Sequence, residues 1–499
     1  MRTPISEYDP PQAHQVCISC KKRKRKCNKA RPKCSSCLER NLNCEYSAPR
    51  KSSDSTSVLD QLPNSFFVDD GPADAQSIDI PTILFLDPTI LRNGYVEISR
   101  TANLVPEPIL RLLGDLEEIE EISSRFFGHI HLWMPFISKK RFYEIHLRPS
   151  FQSRPDIVLL LLSLKLITTL PPTQPRNPRT SLYKTIKHFY LELEGSSTLS
   201  ILILQAGVLL AFYELGHAIY PAAYLSIGAC ARYAHALGIN ASGKLNKGRV
   251  VTLVEVEERR RVWWAIVILD RFVSVGCPGR PFATANPILE DYLPVDDKAW
   301  DEGIIRPEDY FTLSSPMSSH MSKFALLCQA ARLLGQVLDY VSSDHAVHDD
   351  VWIQLDRTLQ SMTAASLKVD APDYSQITFV YSALVALYTP WIASSSSNEA
   401  DNVRSQRAKV IIEQITETIK ENLMARKCFF GVDPEDMSPW GLFFAYRISV
   451  SHMRRSRENP DSLYILKNLK EVFMTIDSRW NAAGVYLQLL EAQEVMENC

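Results

Sequence analysis

The chain has 499 residues, of which 45% are hydrophobic and 22% charged, a composition typical of a soluble globular protein with room for more than one domain. Its net charge of −2 is unevenly divided, because residues 17–44 carry ten Lys/Arg and one Glu, and this +9 leaves −11 for the rest. The longest apolar stretch, 157–170, is too short for a membrane span, and residues 1–16 lack the apolar core of a signal peptide. We therefore expect an intracellular protein with no membrane partner and a nucleic-acid-binding head on an acidic body.

The basic segment also holds six of the eleven cysteines. They repeat one pattern, Cys-x2-Cys-x6-Cys, starting at Cys17 and again at Cys34. In a reducing compartment, clustered cysteines bind metal more often than they form disulfides. The segment is also too small and too polar to build a core without a metal.

Zinc takes four thiolates in a tetrahedron, so six cysteines permit two solutions. They can serve one site with two thiols left over, or two sites if two thiolates bridge both metals. The second solution uses every cysteine, and the internal repeat favours it. The predicted metal ligands are Cys17, Cys20, Cys27, Cys34, Cys37 and Cys44.

This spacing resembles the fungal zinc binuclear cluster, the DNA-binding domain of the galactose-regulator type. The resemblance implies two zinc ions as cofactor, bridged by Cys17 and Cys34. It further implies that Cys20 and Cys27 complete one site, and that Cys37 and Cys44 complete the other. Double-stranded DNA with CGG-type half-sites is the implied partner, and the nucleus is the implied location.

Six consecutive Lys/Arg at 21–26 supply the expected DNA contacts. We expect a short helix to start after Cys20 and to meet the major groove by its N-terminal end. Arg23 and Lys24 match the family positions that read a CGG triplet, and Lys and Arg can bond the O6 and N7 atoms of guanine. The basic run can also act as a nuclear-import signal. The residues expected to contact phosphates are Lys21, Lys26, Lys29 and Lys33.

The chain is predicted to divide into a disordered lead-in at 1–16, the cluster at 17–44, an acidic Ser/Pro-rich linker at 45–106 and a body at 107–499. Within the linker, residues 52–105 contain eight Asp/Glu, two Lys/Arg and apolar clusters such as Phe66-Phe67-Val68. The favoured interpretation is a linker whose apolar patches dock on the body, and the alternative is an activation segment for a co-activator. No sustained heptad follows the cluster, so we expect a monomer or a homodimer formed through the helical body.

The body shows apolar residues at three-to-four spacing almost throughout and no pattern typical of a strand ladder. We therefore predict a large all-α domain beside the zinc-stabilised cluster, whose two halves are each a short helix and a loop. The predicted helical stretches are 109–119, 199–213, 223–237, 255–275, 319–341, 352–367, 379–392, 403–423, 439–454, 462–476 and 478–495.

The stretch Arg259-Arg260-Arg261-Val-Trp263-Trp264, with Gly279-Arg280-Pro281 after it, resembles the fungal-specific transcription factor domain, also called the middle homology region. We interpret the tryptophans as core residues and the arginines as members of structural ion pairs. Glu255–Arg259 and Glu257–Arg261 have the i,i+4 spacing that such pairs require. A ligand site in this stretch is the less favoured interpretation.

The sequence lacks the common hydrolase, nucleotide-binding and zinc-protease motifs, so we predict no enzymatic activity. The resemblance to the two fungal domains implies a sequence-specific RNA polymerase II transcription factor, a pathway-specific regulator of the kind that controls secondary-metabolite gene clusters. The alternatives are a helical ligand-binding or enzymatic protein with a zinc-cluster adaptor, and a zinc-dependent RNA-binding or scaffold protein.

Overall fold

The structure is a computed structural model of the chain, and it consists of two compact units, Met1–Asn64 and Ser65–Cys499. The predicted linker lies outside the described residues, apart from Glu45, Leu86 and the last two residues before α3. The described residues are 16–45, 86, 105–148, 154–172, 176–196, 199–239, 252–315, 321–343, 349–367, 373–392, 399–424, 434–457 and 459–498.

The first unit contains two short helices, α1 (Ile18–Lys22) and α2 (Ser35–Leu38). Its fully buried side chains are cysteines, and only Leu42 and the two remaining cysteines pack partly against them. The part of this unit that the structure describes therefore has no aliphatic core. A fold of this size needs a bound metal in place of one.

Within its described residues the second unit is helical, with one isolated β-bridge between Tyr292 and Thr312. This confirms the predicted fold class. Its helices are α3 (Glu107–Leu113), α4 (Leu116–Arg125), α5 (Lys139–Arg141), α6 (Pro155–Thr168), α7 (Ser181–Glu194), α8 (Ile201–Gly216), α9 (Ala222–Ala236), α10 (Leu253–Phe272), α11 (Asp297–Glu302), α12 (Lys323–Ser342), α13 (Asp349–Leu367), α14 (Tyr374–Ile392), α15 (Glu399–Met424), α16 (Leu442–Arg455), α17 (Pro460–Asp477) and α18 (Asn481–Asn498).

Helix α10 lies at the centre of this unit, where it packs against α8, α9 and α12. It begins with a capping box, in which the Thr252 hydroxyl accepts from the Glu255 N–H and the Glu255 carboxylate accepts from the Thr252 N–H. Trp263 and Trp264 are 2% and 1% exposed, so both are core residues as the sequence predicted.

The arginines that follow the capping box form structural contacts. Arg261 is buried and pairs with Glu257 at 2.9 Å and with Asp297 of α11 at 2.7 Å, which confirms the Glu257–Arg261 pair. Glu255 pairs with Arg141, a residue 114 positions earlier in the chain, at 2.9 Å. Arg260 and Arg261 are therefore members of a buried ion-pair network.

The last three helices form a small bundle at the end of the chain. Helices α16, α17 and α18 pack against one another around a separate apolar cluster. No helix in the described part of the chain is both long and apolar enough to cross a membrane. The residues of the apolar cluster are Val450, Met453, Leu466 and Leu490.

Candidate metal centre and DNA-binding surface

The two halves of the first unit repeat the same backbone at an interval of 17 residues. Cys17 and Cys34 are the N-caps of α1 and α2, with φ/ψ of −65°/152° and −70°/153°. Seven residues after each of them the chain turns through a left-handed residue, Lys24 at φ 49° and Asn41 at φ 48°. Two backbone hydrogen bonds also repeat in both halves. The Lys21 N–H donates to Cys17 O (3.0 Å), as the Leu38 N–H donates to Cys34 O (2.9 Å). The Arg25 N–H donates to Cys20 O (3.0 Å), as the Leu42 N–H donates to Cys37 O (3.0 Å).

The six sulfur atoms form two overlapping groups of four, within each of which all Sγ atoms lie within 4.8 Å of one another. Cys17 and Cys34 belong to both groups. One group is Cys17, Cys20, Cys27 and Cys34, and the other is Cys17, Cys34, Cys37 and Cys44.

The distances between these sulfurs fit zinc. The Cys17 Sγ lies 3.7 Å from the Cys34 Sγ, and the Cys20 Sγ lies 3.6 Å from the Cys34 Sγ. Four zinc–sulfur bonds of about 2.3 Å in a tetrahedron separate their sulfurs by about 3.8 Å. A disulfide would require about 2.05 Å. The donor set and its spacing therefore match a two-zinc, six-thiolate cluster.

The surroundings of the thiols disfavour the thiolate form unless a cation is bound. Burial raises the pKa of Cys17, Cys34 and Cys37 above the ordinary value of 9.0. At Cys27 burial acts in the same direction but is outweighed by hydrogen bonds from the backbone at Cys17 and Lys29, which lower the pKa to about 7. Zinc must therefore displace protons to bind, so its affinity falls as the solution becomes more acidic.

Backbone and side-chain hydrogen bonds connect the two halves around the sulfurs. Within the second half, the Cys34 N–H donates to the Cys44 Sγ at 3.2 Å, a contact that orients this sulfur. The Asn28 side-chain oxygen accepts from the Ser35 N–H at 3.0 Å, at the start of α2. Sequence reasoning missed Asn28, because a single asparagine beside a cysteine carries no spacing signal.

One expectation about this unit is wrong. The first helix does not start after Cys20; it starts at Ile18, and Arg23 is its C-terminal cap. The reason lies in the metal ligands: with Cys17 at the N-cap, one helical turn brings Cys20 to the same site. Arg23 and Lys24 therefore lie at the C-terminal end of α1 rather than at its N-terminal end.

The residues expected to contact DNA lie on the surface. Lys29 is half-buried, with φ 61°. The second half, with the same backbone, carries Glu39 and Arg40 as its charged residues, so the positive charge belongs to the first half and the loop between the halves. The exposed residues of the predicted set are Lys21, Arg23, Lys24, Lys26 and Lys33.

Comparison with known families agrees with this geometry. The family described as fungal Zn(2)-Cys(6) binuclear cluster domain matches residues 15–53, and the family described as fungal specific transcription factor domain matches residues 124–429. The chain therefore belongs to the fungal Zn(2)-Cys(6) transcription factors. Both resemblances inferred from the sequence are confirmed.

Curated relatives are regulators as well. Transcription factor BOA15 of Botryotinia fuckeliana is 40% identical over 151 residues, which cover 30% of this chain and 84% of the relative. Tropolone cluster transcription factor tropK of Talaromyces stipitatus is 23% identical over 306 residues, which cover 57% of this chain and 54% of the relative. Citrinin biosynthesis transcriptional activator ctnR of Monascus purpureus is 22% identical over 203 residues, covering 40% and 34%. The chain thus spans about half or less of the length of the last two relatives.

The family and the sulfur geometry together define a fungal zinc cluster transcription factor whose cofactor is zinc. Membership in the family implies DNA binding and a nuclear location. It also implies a regulator rather than an enzyme.

Proposed function

We propose that the first unit binds two zinc ions bridged by Cys17 and Cys34 and reads CGG-type half-sites in the major groove through Arg23 and Lys24. The observation that carries this proposal is the exposed basic run at the end of α1, beside two overlapping groups of thiols. Cys20 and Cys27 complete one metal site, and Cys37 and Cys44 complete the other. The proposed phosphate contacts are Lys21, Lys26, Lys29 and Lys33.

The bridging assignment rests on the membership of Cys17 and Cys34 in both sulfur groups. Replacing a bridging cysteine removes a ligand from both metals, whereas replacing a terminal cysteine removes a ligand from one. We therefore expect Cys34→Ala to lose both zinc ions and Cys27→Ala to keep one, as counted by native mass spectrometry. Cys277→Ala, at an exposed cysteine of the body, is the control and should keep two. Equal losses in Cys34→Ala and Cys27→Ala would contradict the assignment.

The base-reading assignment rests on the fork of donors that a guanidinium offers to the O6 and N7 atoms of guanine. Arg23 is exposed at the end of α1, and Arg40 is exposed at the equivalent position of the second half. We expect Arg23→Ala to lose about 1–3 kcal/mol of discrimination between CGG and mutated triplets. Arg40→Ala is the matched control and should leave the sequence preference intact. If Arg23→Ala weakened binding to every duplex equally, Arg23 would be a phosphate contact and not a base reader.

The relatives support a role in one biosynthetic pathway. Two of these relatives are named for a tropolone cluster and for citrinin biosynthesis. By this likeness we assign the chain to the pathway-specific regulators of secondary-metabolite gene clusters. Deleting the gene should lower or raise transcripts of a contiguous gene cluster, and chromatin occupancy should be found at CGG-type sites in its promoters. Occupancy scattered without relation to such a cluster would contradict the assignment.

We also propose the division of the chain into a lead-in (1–16), a zinc cluster (17–44), an acidic linker (45–106) and a helical body (107–499). The favoured role of the acidic linker is to dock its apolar patches on the body, with binding of a co-activator as the alternative, and the protein would act as a monomer or as a homodimer formed through its helical body. The lack of a heptad after the cluster supports association elsewhere. A reporter assay with residues 52–105 deleted tests the co-activator role of the linker: if the linker has this role, transcription should fall while DNA binding is kept.

A further inference from the structure

The turn between α17 and α18 places an arginine in the interior of the second unit. Arg479 is 1% exposed, and the central carbon of its guanidinium lies 4.0 Å from the centre of the Trp480 ring. Its Nη2 atom donates to the carbonyl oxygen of Ile167, in the last turn of α6. Its Nη1 atom is buried and has no hydrogen-bond partner in the part of the chain that the structure describes. A buried cation therefore keeps an unused donor.

Arg479 also lacks the carboxylate partner that the other fully buried arginines of this unit have. Arg261 and Arg271 pair with carboxylates at 2.7–2.9 Å. Arg479 forms no ion pair with any residue that the structure describes; Glu435 attracts it from a distance, but both carboxylate oxygens of Glu435 accept from Arg125. Burial consequently lowers the pKa of Arg479 to about 10. A buried charge without a counter-ion is strongly unfavourable.

His217 supplies a second unused donor beside the same tryptophan. It is the C-terminal cap of α8, it is 2% exposed, and its ring centre lies 5.5 Å from the Trp480 ring. Its Nδ1 atom accepts from the Asn481 N–H at 3.4 Å, so the neutral imidazole carries its proton on Nε2. Burial, followed by repulsion from Arg479, lowers the pKa of His217 to about 3, which keeps the ring neutral near pH 7. The Nε2 atom is buried without a hydrogen-bond partner among the described residues.

A third unpartnered group belongs to Asn481, the first residue of α18. Asn481 is 6% exposed, and its Oδ1 atom is buried without a hydrogen-bond partner among the described residues. Rotation of the amide exchanges the positions of Oδ1 and Nδ2, so this side chain can donate from the same place. Buried polar groups without a partner are rare in native proteins, and neighbouring ones indicate a bound water or ion. Arg479, His217 and Asn481 are neighbours of this kind.

The chemistry of these groups favours an anion over a water molecule. A water molecule would accept from the donors but would leave the charge of Arg479 without a counter-ion. An anion accepts from every donor and also neutralises that charge. Because the polar groups are buried, the ligand must lose its hydration shell to reach them. That loss costs less for a small monovalent ion than for sulfate or phosphate, since the cost of burying an ion grows with its charge.

We propose that Arg479, His217 and Asn481 form a buried binding site for a small monovalent anion such as chloride. The Nη1–H of Arg479 and the Nε2–H of His217 donate to the anion, and the amide of Asn481 donates after its rotation. The bound anion then fastens the turn before α18 to the end of α8 and to the last turn of α6. This site lies in the second unit, and the proposal does not depend on the zinc cluster or on the DNA sequence that it reads.

Thermal unfolding of the full-length, zinc-loaded protein at pH 7.5, followed by tryptophan fluorescence, tests this proposal. Sodium chloride replaces sodium gluconate stepwise at constant ionic strength, because gluconate is too large for an enclosed site. The wild-type midpoint should rise with the logarithm of the chloride concentration, since only the folded chain binds the anion. Arg479→Met removes the charge, and its midpoint should not depend on chloride. Arg176→Met is the matched control: Arg176 is exposed and binds Asp477 beside the same turn, so its loss should leave the chloride dependence unchanged.

A second variant supplies the counter-ion from the chain itself. Asn481→Asp places a carboxylate in the proposed site, so its midpoint should be independent of chloride and, in gluconate, at least as high as that of the wild type. This variant decides the question if Arg479→Met does not fold. The proposal is overturned if the wild-type midpoint is the same in chloride and in gluconate, which would assign the unpartnered groups to a water molecule only. It is also overturned if Asn481→Asp keeps the chloride dependence of the wild type, because the anion would then bind elsewhere.

Discussion

The two units of the protein place their charged groups in opposite ways. In the first unit the sulfur atoms are inside and six consecutive Lys/Arg, residues 21–26, are outside. In the second unit the arginines are inside: Arg261, Arg271 and Arg479 are among its largest fully buried side chains. Arginine is therefore exposed in one unit, where we propose that it contacts DNA, and internal in the other.

The buried arginines of the second unit differ from the exposed basic residues of the first in their hydrogen-bond partners. Arg271 donates to Asp270 at 2.7 Å and to the Thr284 hydroxyl at 2.9 Å. Burial by itself lowers the pKa of an arginine, but at Arg261 the carboxylates of Asp297 and Glu257 outweigh burial and raise the pKa. At Arg261 the Nε, Nη1 and Nη2 atoms all donate to protein acceptors, whereas we propose that the solvated side chains of residues 21–26 exchange water for phosphate and base acceptors.

The largest expected difference between the units is their response to loss of zinc. Structural zinc contributes about 10–16 kcal/mol to small metal-dependent domains at pH 7. A chelator should therefore unfold residues 17–44, abolish DNA binding and open the lysines and arginines of this unit to trypsin. The denaturation midpoint of the second unit, followed by tryptophan fluorescence, should not change. Persistent protection of residues 17–44 after complete zinc removal would contradict the two-zinc cluster.

The next largest effect is expected in the buried ion pairs of the second unit. Arg261→Ala removes one arginine partner of the completely buried Glu257 and leaves the Pro135 and Val295 carbonyls without their donor. We expect the unfolding free energy, measured with a chemical denaturant, to fall by about 3–5 kcal/mol. Arg259→Ala, at the half-buried neighbour, is the control and should cost about 1 kcal/mol or less. Equal effects of the two substitutions would show that burial of Arg261 has no energetic consequence.

Acid should destabilise the second unit through buried histidines. Burial, followed by repulsion from Arg479, lowers the pKa of His217 from 6.5 to about 3. Between these values the unfolded chain binds a proton that the folded chain does not, so the unfolding free energy falls as the pH falls, by about 1.4 kcal/mol per pH unit. His217→Gln should remove this part of the slope below pH 6.5. His452→Gln should remove a further part of this pH dependence, since burial lowers the pKa of His452 to about 4. If the slope of unfolding free energy against pH were unchanged in both variants, the explanation by buried histidines would be refuted.

Local spacing predicted much of this protein. The interval between cysteines encodes the metal groups, and the three-to-four apolar period encodes the helices, because both are properties of neighbouring residues. The predicted stretch 255–275 corresponds to α10 (Leu253–Phe272), and the predicted stretch 478–495 to α18 (Asn481–Asn498). The displaced start of α1 was missed because ligand geometry, not helix propensity, places Cys17 at the N-cap.

Contacts between distant residues were not predictable from the sequence. Arg141 lies 114 residues from Glu255, and no periodicity connects them. The His131 Nε2 atom lies 3.0 Å from the Asp301 Oδ1 atom, although the two residues are 170 positions apart. The exposure of Val485, Leu489 and Met496 on α18 was missed for a related reason: an apolar period shows that a helix has an apolar face, but not whether the fold covers that face.

The smallest expected effect is on the salt dependence of DNA affinity, and it distinguishes a lysine of the first unit from a lysine of the second. Lys26 lies in the basic run and Lys467 lies on α17, and both side chains are exposed. If Lys26 neutralises one phosphate, Lys26→Ala should reduce the slope of log affinity against log salt by about 0.9, because one fewer counterion is released. Discrimination between CGG and other triplets should stay the same, since phosphate contacts carry no sequence information. Lys467→Ala should change neither quantity when duplex binding is titrated across a range of salt concentrations. A reduced slope in both variants would show that the second unit also contacts DNA, and the functional contrast between the exposed lysines of the two units would fail.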